Sequence, residues 1–321
     1  MSEPLTPAQR AAELFRQYGI AAVFIALFIL LALTLPQFRT IPNLTNVLQQ
    51  NAVIGIIACA MTFAIISGGF DLSVGAGAAL ASVVGARIMI EAGIPAGILG
   101  ALIAGLALGL LNGWLIAYAG VNPFVATLGT ATIVRGLIYV STNATPFFGV
   151  PMSFTVVGLG RTGPLPNATW IFLVVALVLA FLLHQSRFGH YVYAIGGNIV
   201  AAAEMGIPVR RVKMLVYALV GLCAAIGGII LTGQTASGQP QAALNYELAA
   251  ITAVIVGGAS LGGGRGTMGG TILGVFLLGL VSNALNLYGV SAFWQPVATG
   301  LILVLAVAVD GISRRSVFSL H

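Results

Sequence analysis

The sequence predicts an all-α, polytopic membrane helix bundle of about ten transmembrane helices, with its N- and C-termini in the cytoplasm. Two features of the composition lead to this fold class. Hydrophobic residues make up 59% of the chain and charged residues only 6%, whereas a soluble domain carries about 25% charged residues. In addition, no charged side chain occurs from Gly266 through Val309, a stretch long enough for two crossings at about 20 residues each.

Ten apolar runs, bounded by charges, prolines or polar clusters, are the candidate spans. The first five are Ile20 to Leu35, Asn46 to Ile66, Leu72 to Ile90, Pro95 to Tyr118 and Pro123 to Val140. The second five are Ala168 to Leu183, Val212 to Leu231, Ala249 to Leu261, Met268 to Leu287 and Phe293 to Val309. The first lacks a small-residue cleavage site, so we expect an uncleaved span. The eighth is short and ends in glycines, so we expect it to be tilted, broken or re-entrant.

Basic residues predict the orientation of these spans, because cytoplasmic loops are enriched in Lys and Arg. With the N-terminus inside, alternation places these basic residues inside: Arg10, Arg16, Arg187, Arg210, Arg211, Lys213, Arg265, Arg314 and Arg315. Arg39 and Arg161 fall outside, while Arg87 and Arg135 lie near outer span ends, where they can snorkel. The chain is then one integral-membrane domain over residues 1–321, with a cytoplasmic tail at 1–19 and a cytoplasmic loop at 184–212.

Glycines four residues apart predict close helix packing in two places. They are Gly105-Gly109-Gly113 and Gly266-Gly270-Gly274, and small residues at this spacing let membrane helices approach closely. The alternative is that these seams let helices slide when a pathway opens. Two glycine-rich segments, around Asp71 and around Arg265, also resemble each other, which suggests an internal duplication of the kind many transporters show.

Several motifs that would indicate an enzyme or a binding site fail on their context. Residues 264–269 spell GxGxxG, but a membrane span precedes them and no acid follows until Asp310, so a dinucleotide site is not expected. Lys213 is the only lysine, which argues against a phosphate loop in this chain. The three histidines are not paired at ligand spacing, and the basic residues are scattered rather than clustered. We therefore predict no catalytic, cofactor-binding or metal-binding residues and no nucleic-acid partner.

The most informative polar stretch is the loop from His184 to Lys213. Asn198 is a suitable N-cap, residues 199–205 favour a helix, Gly206 suits a left-handed stop and Pro208 prevents continuation. We predict a short capped helix whose small residues Ala201, Ala202 and Ala203 let a partner protein approach closely. The alternative is a solvated surface turn.

At this loop the chain resembles a known family. The segment YAIGGNIVAAAEMGIPVRRVK is similar to the coupling segment of permease subunits of bacterial ATP-binding-cassette sugar importers of the ribose/xylose/galactose type. Three further segments resemble the same family: NLTNVLQQNAVIGIIACAMTFAIISGGFDLSVGA, NPFVATLGTATIVRGLIYVSTN and AAITAVIVGGASLGGGRGTMGGTILG. The likeness extends from about Asn43 to Arg315.

The resemblance implies a transmembrane subunit that translocates a monosaccharide across the bacterial inner membrane. It implies three protein partners: a cytoplasmic ATP-binding subunit that uses ATP and Mg, a periplasmic sugar-binding protein, and a second permease copy in a homodimer or a pair of similar subunits. The residues that match the coupling segment are Gly197, Asn198, Ala201, Ala202, Glu204 and Gly206. No cofactor is expected on this chain itself, and its surroundings are membrane lipid.

Polar residues within the spans are candidates for a gate or pathway. Asp71, Ser73, Asn112 and Asn283 are the residues we single out, because polar groups in a bilayer are costly and often functional. Helix capping, ion pairing or helix-to-helix hydrogen bonds are the alternative. Glu247 is expected on the outer side, either solvated or against the binding protein. An ion-gradient-driven secondary transporter is the rival function, and a passive channel lacks rings of charge or a filter-like loop.

Overall fold

Helices dominate the computed structural model, which describes residues 7–318 and the side chains of residues 19–308. The helices are α1 (Pro7–Thr34), α2 (Ile41–Ile66), α3 (Val74–Ala92), α4 (Ile94–Ala117), α5 (Pro123–Thr142), α6 (Thr155–Gly158), α7 (Asn167–Gln185), α8 (Arg187–Gly197), α9 (Ile199–Glu204), α10 (Val209–Thr235), α11 (Tyr246–Val256), α12 (Met268–Leu287) and α13 (Trp294–Phe318). The first six residues of the predicted tail lie outside the described residues, and so do the side chains of Arg10, Arg16, Arg314 and Arg315.

Seven helices are long and apolar enough to cross a membrane: α2, α3, α4, α5, α7, α10 and α12. Three shorter apolar stretches, Gly19–Thr34, Tyr246–Val256 and Trp294–Ala308, match the first, eighth and tenth predicted runs. The chain is therefore a polytopic helical bundle. The count of about ten spans and the cytoplasmic termini stay predictions.

Strands occur only as four two-residue pieces in the described part of the chain. Strand β1 (Phe147–Phe148) pairs antiparallel with β4 (Ser237–Gly238), and β2 (Arg161–Thr162) pairs with β3 (Leu165–Pro166). The first pair joins the long connection between α5 and α7 to the chain that follows α10. Both pairs lie at the end of the bundle opposite α9, which we call the far end.

Glycines bring α4 and α10 together, as the spacing predicts. A Cβ atom on Gly105 would meet Gly221 and Ala225, one on Gly109 would meet Tyr217, and one on Gly113 would meet Met214. All four contacts are on α10, so the three glycines form a single packing face. The second predicted seam is confirmed for Gly270 and Gly274, which pack against α11, whereas Gly266 precedes α12 and has φ +155°.

The eighth predicted span is broken. Helix α11 covers only Tyr246–Val256, and a non-helical segment, residues 239–245, leads into it from the far end. Ala253 of α11 packs against Gly274 of α12, and Gly257 packs against Gly270, so the two helices run antiparallel. Helix α11 therefore begins inside the bundle, level with about residue 280 of α12.

Helices α2, α9, α11 and α12 end in the same way. At the end of α2 the amides of Ser67, Gly68 and Gly69 donate to Phe63, Ile65 and Ala64; at the end of α11 the amides of Gly257, Gly258 and Ala259 donate to Ala253, Ile255 and Val254. Gly68 has φ +82° and Gly258 has φ +90°, so each glycine supplies the left-handed residue that closes a helix end. The same ending occurs at α9 with Gly206 and at α12 with Gly289, so it is a common helix ending, and the internal duplication stays a prediction.

Candidate functional site

The predicted short helix in the loop after α7 is present as α9. The Asn198 side-chain oxygen accepts hydrogen bonds from the amides of Val200 and Ala201 at 3.0 and 3.1 Å. The amide of Gly206 donates to Ala203, that of Ile207 donates to Ala202, and Gly206 has φ +79°. The N-cap and the glycine stop are therefore confirmed. Helix α9 and the chain ends beside it define one end of the bundle, which we call the α9 end.

The three alanines of α9 do not share one face. Ala201 and Ala203 are exposed, whereas Ala202 is 3% exposed and packs into the main hydrophobic core of the bundle. Of the residues that match the coupling segment, Gly197, Asn198, Ala201, Glu204 and Gly206 are exposed. A short helix turns successive side chains by about 100°, so one alanine anchors α9 while its neighbours face outward.

Helix α8 connects α9 to the rest of the bundle. Its Phe188 ring stacks on Phe63 of α2 with centroids 6.0 Å apart, and Val192 and Ile195 are buried. The Tyr193 hydroxyl donates to the carbonyl of Gly266 at 2.7 Å. Burial raises the pKa of the Tyr193 phenol, so it remains a protonated donor at neutral pH.

Three segments of the backbone meet beside α8 at Gly196, Ile66 and Gly264, and we call this contact the joint. The amide of Gly264 donates to the carbonyl of Ile66, the last residue of α2, at 2.8 Å. A Cβ atom on Gly196 of α8 would collide with that same carbonyl and with the Gly264 amide. Glycine is therefore required where α8, the end of α2 and the segment between α11 and α12 meet.

Asp71, Ser73 and Asn112 lie together in a buried polar network. The Asp71 Oδ1 atom accepts from the Ser73 amide at 2.7 Å and from its hydroxyl at 2.6 Å. Asn112 of α4 donates to the Ser73 hydroxyl and accepts from Thr130 of α5, while Thr127 of α5 accepts from the Leu72 amide. The network ties the segment before α3 to α4 and α5.

Asn283 is not part of this network. It lies in α12 toward the far end and exchanges two amide hydrogen bonds with Asn43 of α2, at 2.8 and 3.1 Å. Such reciprocal bonds between two helices are the packing alternative considered for polar residues in spans. The structure therefore separates Asn283 from the other three gate or pathway candidates.

Several residues of these sites were not identified from the sequence. Thr127 and Thr130 are three apart on α5 and so share a face, which was the signal available for them. Tyr193 and Gly196 lie in the loop of interest, but nothing in their spacing indicates contacts with Gly266 and Ile66. Such contacts between distant parts of the chain require the fold.

Neither cysteine is accessible. Cys59 and Cys223 are free and buried. Among the described residues no group of three or more His, Cys, Asp or Glu side chains could hold a metal ion.

Comparison with known proteins places the chain in a family. The family described as branched-chain amino acid transport system / permease component matches residues 43–307. The chain belongs to this permease family. It is 40% identical over 304 residues to the ribose import permease protein RbsC of Escherichia coli (strain K12), covering 93% of this chain and 94% of that protein. No solved structure matches it.

Two further relatives agree with this assignment. The ribose import permease protein RbsC of Bacillus subtilis (strain 168) is 44% identical over 302 residues, which is 89% of this chain and 91% of that protein. The L-arabinose ABC transporter permease protein AraH of Azospirillum brasilense is 36% identical over 304 residues, 94% of this chain and 90% of that protein. The chain is thus a multi-pass inner-membrane permease subunit of an ATP-binding-cassette importer, as the sequence predicted.

Proposed function

We propose that this permease imports a monosaccharide, handed over by a periplasmic sugar-binding protein, and that partner subunits hydrolyse ATP with Mg to drive the cycle. The relatives named for ribose and L-arabinose support a monosaccharide as the transported molecule. Two copies of the chain, or this chain and a similar subunit, enclose the path. The α9 end faces the cytoplasm, in keeping with the basic residues Arg210, Arg211 and Lys213 beside it.

The single observation that carries the coupling assignment is the attachment of α9. The exposed residues of α9 form the contact with the ATP-binding subunit, and Ala202 fixes the helix to the core. Movement of α9 then passes through α8 to the Gly196, Ile66 and Gly264 joint and so to α2 and α11. The network of Asp71, Ser73 and Asn112 links the segment that follows α2 to α4, where it serves as the gate element.

The experiment is reconstitution of the permease with its ATP-binding subunit and binding protein in liposomes. ATP-dependent uptake of D-ribose or L-arabinose is expected, and it should stop when the ATP-binding subunit is left out. Uptake that persists without that subunit and instead follows an imposed proton or sodium gradient would favour the rival secondary transporter.

Contact through α9 is tested by Ala201→Arg. The bulky cation should block docking, so the ATP-binding subunit no longer co-purifies with a stably inserted permease. Ala119→Arg is the matched control, because Ala119 is also exposed at the α9 end but lies between α4 and α5. If the ATP-binding subunit co-purifies equally with both variants, α9 is not part of the contact.

A further inference from the structure

A cavity of about 590 Å³ lies between α3, α5 and α11. Among the groups that line it are Arg135, Tyr139 and Thr132 of α5, and Asn245 and Glu247 at the start of α11. Its size is within the range of roughly 300–1,000 Å³ typical of small-molecule sites. None of these residues was singled out as a pathway residue from the sequence.

The two charged groups of the cavity lie deep in the bundle. Glu247 lies level with about residue 280 of α12, which is seven residues before the end of that helix. Arg135 lies seven residues before the end of α5. At 1.5 Å per residue, both lie about 10 Å inside the far end. Charged side chains at such depth in a membrane protein face other protein or a water-filled cavity rather than lipid.

Each charged group contacts the protein on one side and still has hydrogen-bonding atoms that could contact a ligand. Arg135 donates through Nη1 to the carbonyls of Pro240 and Ala242 at 2.9 and 3.0 Å, which leaves its other guanidinium donors available. The Glu247 carboxylate lies against Gly75 of α3, where any side chain would collide with it. It accepts no side-chain hydrogen bond within the described residues, and their one direct ion pair is Arg87 with Glu91.

The polar groups of the cavity match a neutral polyol, and the rest of its lining is apolar: Leu72, Ala76, Leu128, Ala131, Leu244 and Leu248. Arginine only donates hydrogen bonds and an ionised carboxylate only accepts them, whereas a sugar hydroxyl does both. One positive and one negative group across the same cavity leave no net charge to attract an ion. Tyr139 adds an aromatic surface for the apolar face of a ring, and Thr132 and Asn245 add uncharged polar groups.

We propose that this cavity is a transit site for the monosaccharide, in which Arg135 and Glu247 bind ring hydroxyls beside Tyr139. The assignment rests on the proposed function, because it takes the cargo to be a sugar. A zwitterionic amino acid could also bridge the two charges, and competition by leucine is therefore an arm of the test.

The first experiment asks whether the cavity is hydrated. Thr132→Cys is labelled in liposomes with a membrane-impermeant, positively charged methanethiosulfonate reagent; Cys59 and Cys223 are buried and give little background. Leu177→Cys on α7 is the control, since Leu177 is 70% exposed on an apolar surface of that helix. Labelling of the first variant and not the second is expected. Equal resistance of both would overturn the proposal.

The second experiment measures ATP-dependent uptake of D-ribose and L-arabinose. Glu247→Gln and Arg135→Gln should each reduce uptake roughly tenfold, as expected when a hydrogen bond to a charged group is lost. Thr132→Trp fills the cavity while keeping both charged side chains in the sequence, and it should also block uptake. Glu91→Gln and Arg87→Gln make the same charge changes on the exposed part of α3 and should leave uptake unchanged.

The possible results separate the two levels of the proposal. If the unsubstituted importer takes up neither sugar, the proposed function and the site assignment both fail. If it takes up a sugar and the three cavity variants do so equally well, the site alone is overturned. Protection of Thr132→Cys from labelling by D-ribose or L-arabinose supports the site, whereas protection by leucine and not by the sugars would assign the cavity to an amino acid.

Discussion

At the scale of single residues, helix α9 depends on the two groups that close its ends. Asn198 caps the first amides, and Gly206 adopts the left-handed conformation after the last turn. Both roles were predicted from residue type and spacing, because capping is local and involves neighbours within a few positions. The burial of Ala202 was not predicted, because it depends on which side of α9 faces the bundle.

Removal of the N-cap should loosen α9 without unfolding the bundle. Asn198→Ala costs about 1 kcal/mol of local helix stability, which corresponds to roughly fivefold faster hydrogen exchange at the amides of residues 200–204. Asn198→Ser retains a capping oxygen and serves as the control. Mass-spectrometric exchange that is the same in the two variants would contradict this role.

The glycine stop is tested through its backbone conformation. Gly206→Val forces a β-branched residue to φ +79°, which costs at least about 1–2 kcal/mol, and it should weaken co-purification of the ATP-binding subunit. Gly206→Asn is the matched control, because Asn tolerates the left-handed region. Equal co-purification by the Val and Asn variants would show that the conformation of Gly206 is unimportant.

The buried network around Asp71 should be sensitive to the loss of one amide. Asn112→Leu removes the donor to Ser73 and the acceptor of Thr130, and each lost hydrogen bond costs about 0.5–1.5 kcal/mol. A lower melting temperature of the purified permease in detergent is expected. Leu111→Ala, on the exposed side of the same helix, should shift melting less; the opposite order would indicate that the network contributes little.

At the scale of helices, glycine determines which pairs can approach. The Gly105, Gly109 and Gly113 face was predicted from its four-residue spacing, and the structure adds that its partner is α10. The identity of that partner is a long-range property, which spacing within one helix does not contain. The same limit applies to the broken eighth span: its glycines predicted an interruption, but its starting depth depends on Arg135 and Gly75, which are distant in sequence.

Substitution in the α4 seam should separate the two helices. Gly109→Leu places a side chain where the backbone of α10 lies, and overpacking of this kind costs at least about 1–3 kcal/mol. Loss of the folded peak in detergent gel filtration is the expected result. Gly129→Leu on α5 is the control, because a Cβ there meets nothing within 4 Å. A folded Gly109→Leu protein would show that the fold does not require the close contact between α4 and α10.

At the scale of the whole molecule, α9 is attached to the bundle through contacts that join distant parts of the chain. The family was identified from the sequence and the coupling segment was predicted from it, while the contacts between that segment and the core became visible only in the fold. The Tyr193 hydroxyl donates to the carbonyl of Gly266, and the Gly264 amide donates to the carbonyl of Ile66. The loop after α7 therefore meets the end of α2 and the segment after α11 in one place.

Loss of the Tyr193 bond should separate ATP hydrolysis from transport. Tyr193→Phe keeps the ring and removes only the hydroxyl that donates to Gly266, so ATP hydrolysis by the reconstituted importer should persist while uptake per ATP falls severalfold. Tyr191→Phe is the control, since the Tyr191 hydroxyl makes no hydrogen bond within the described residues. An unchanged ratio of sugar to ATP in both variants would exclude this contact from coupling.

The hydrogen bond from the Gly264 amide to Ile66 has a consequence for how the protein melts. It ties the segment between α11 and α12 to the last residue of α2, so the half of the chain before α7 and the half after it lose this contact together when either one unfolds. Calorimetry should accordingly record one cooperative heat-absorption peak for both halves, not two separate ones. Two parts of the chain that are far apart in sequence thereby form a single thermodynamic unit.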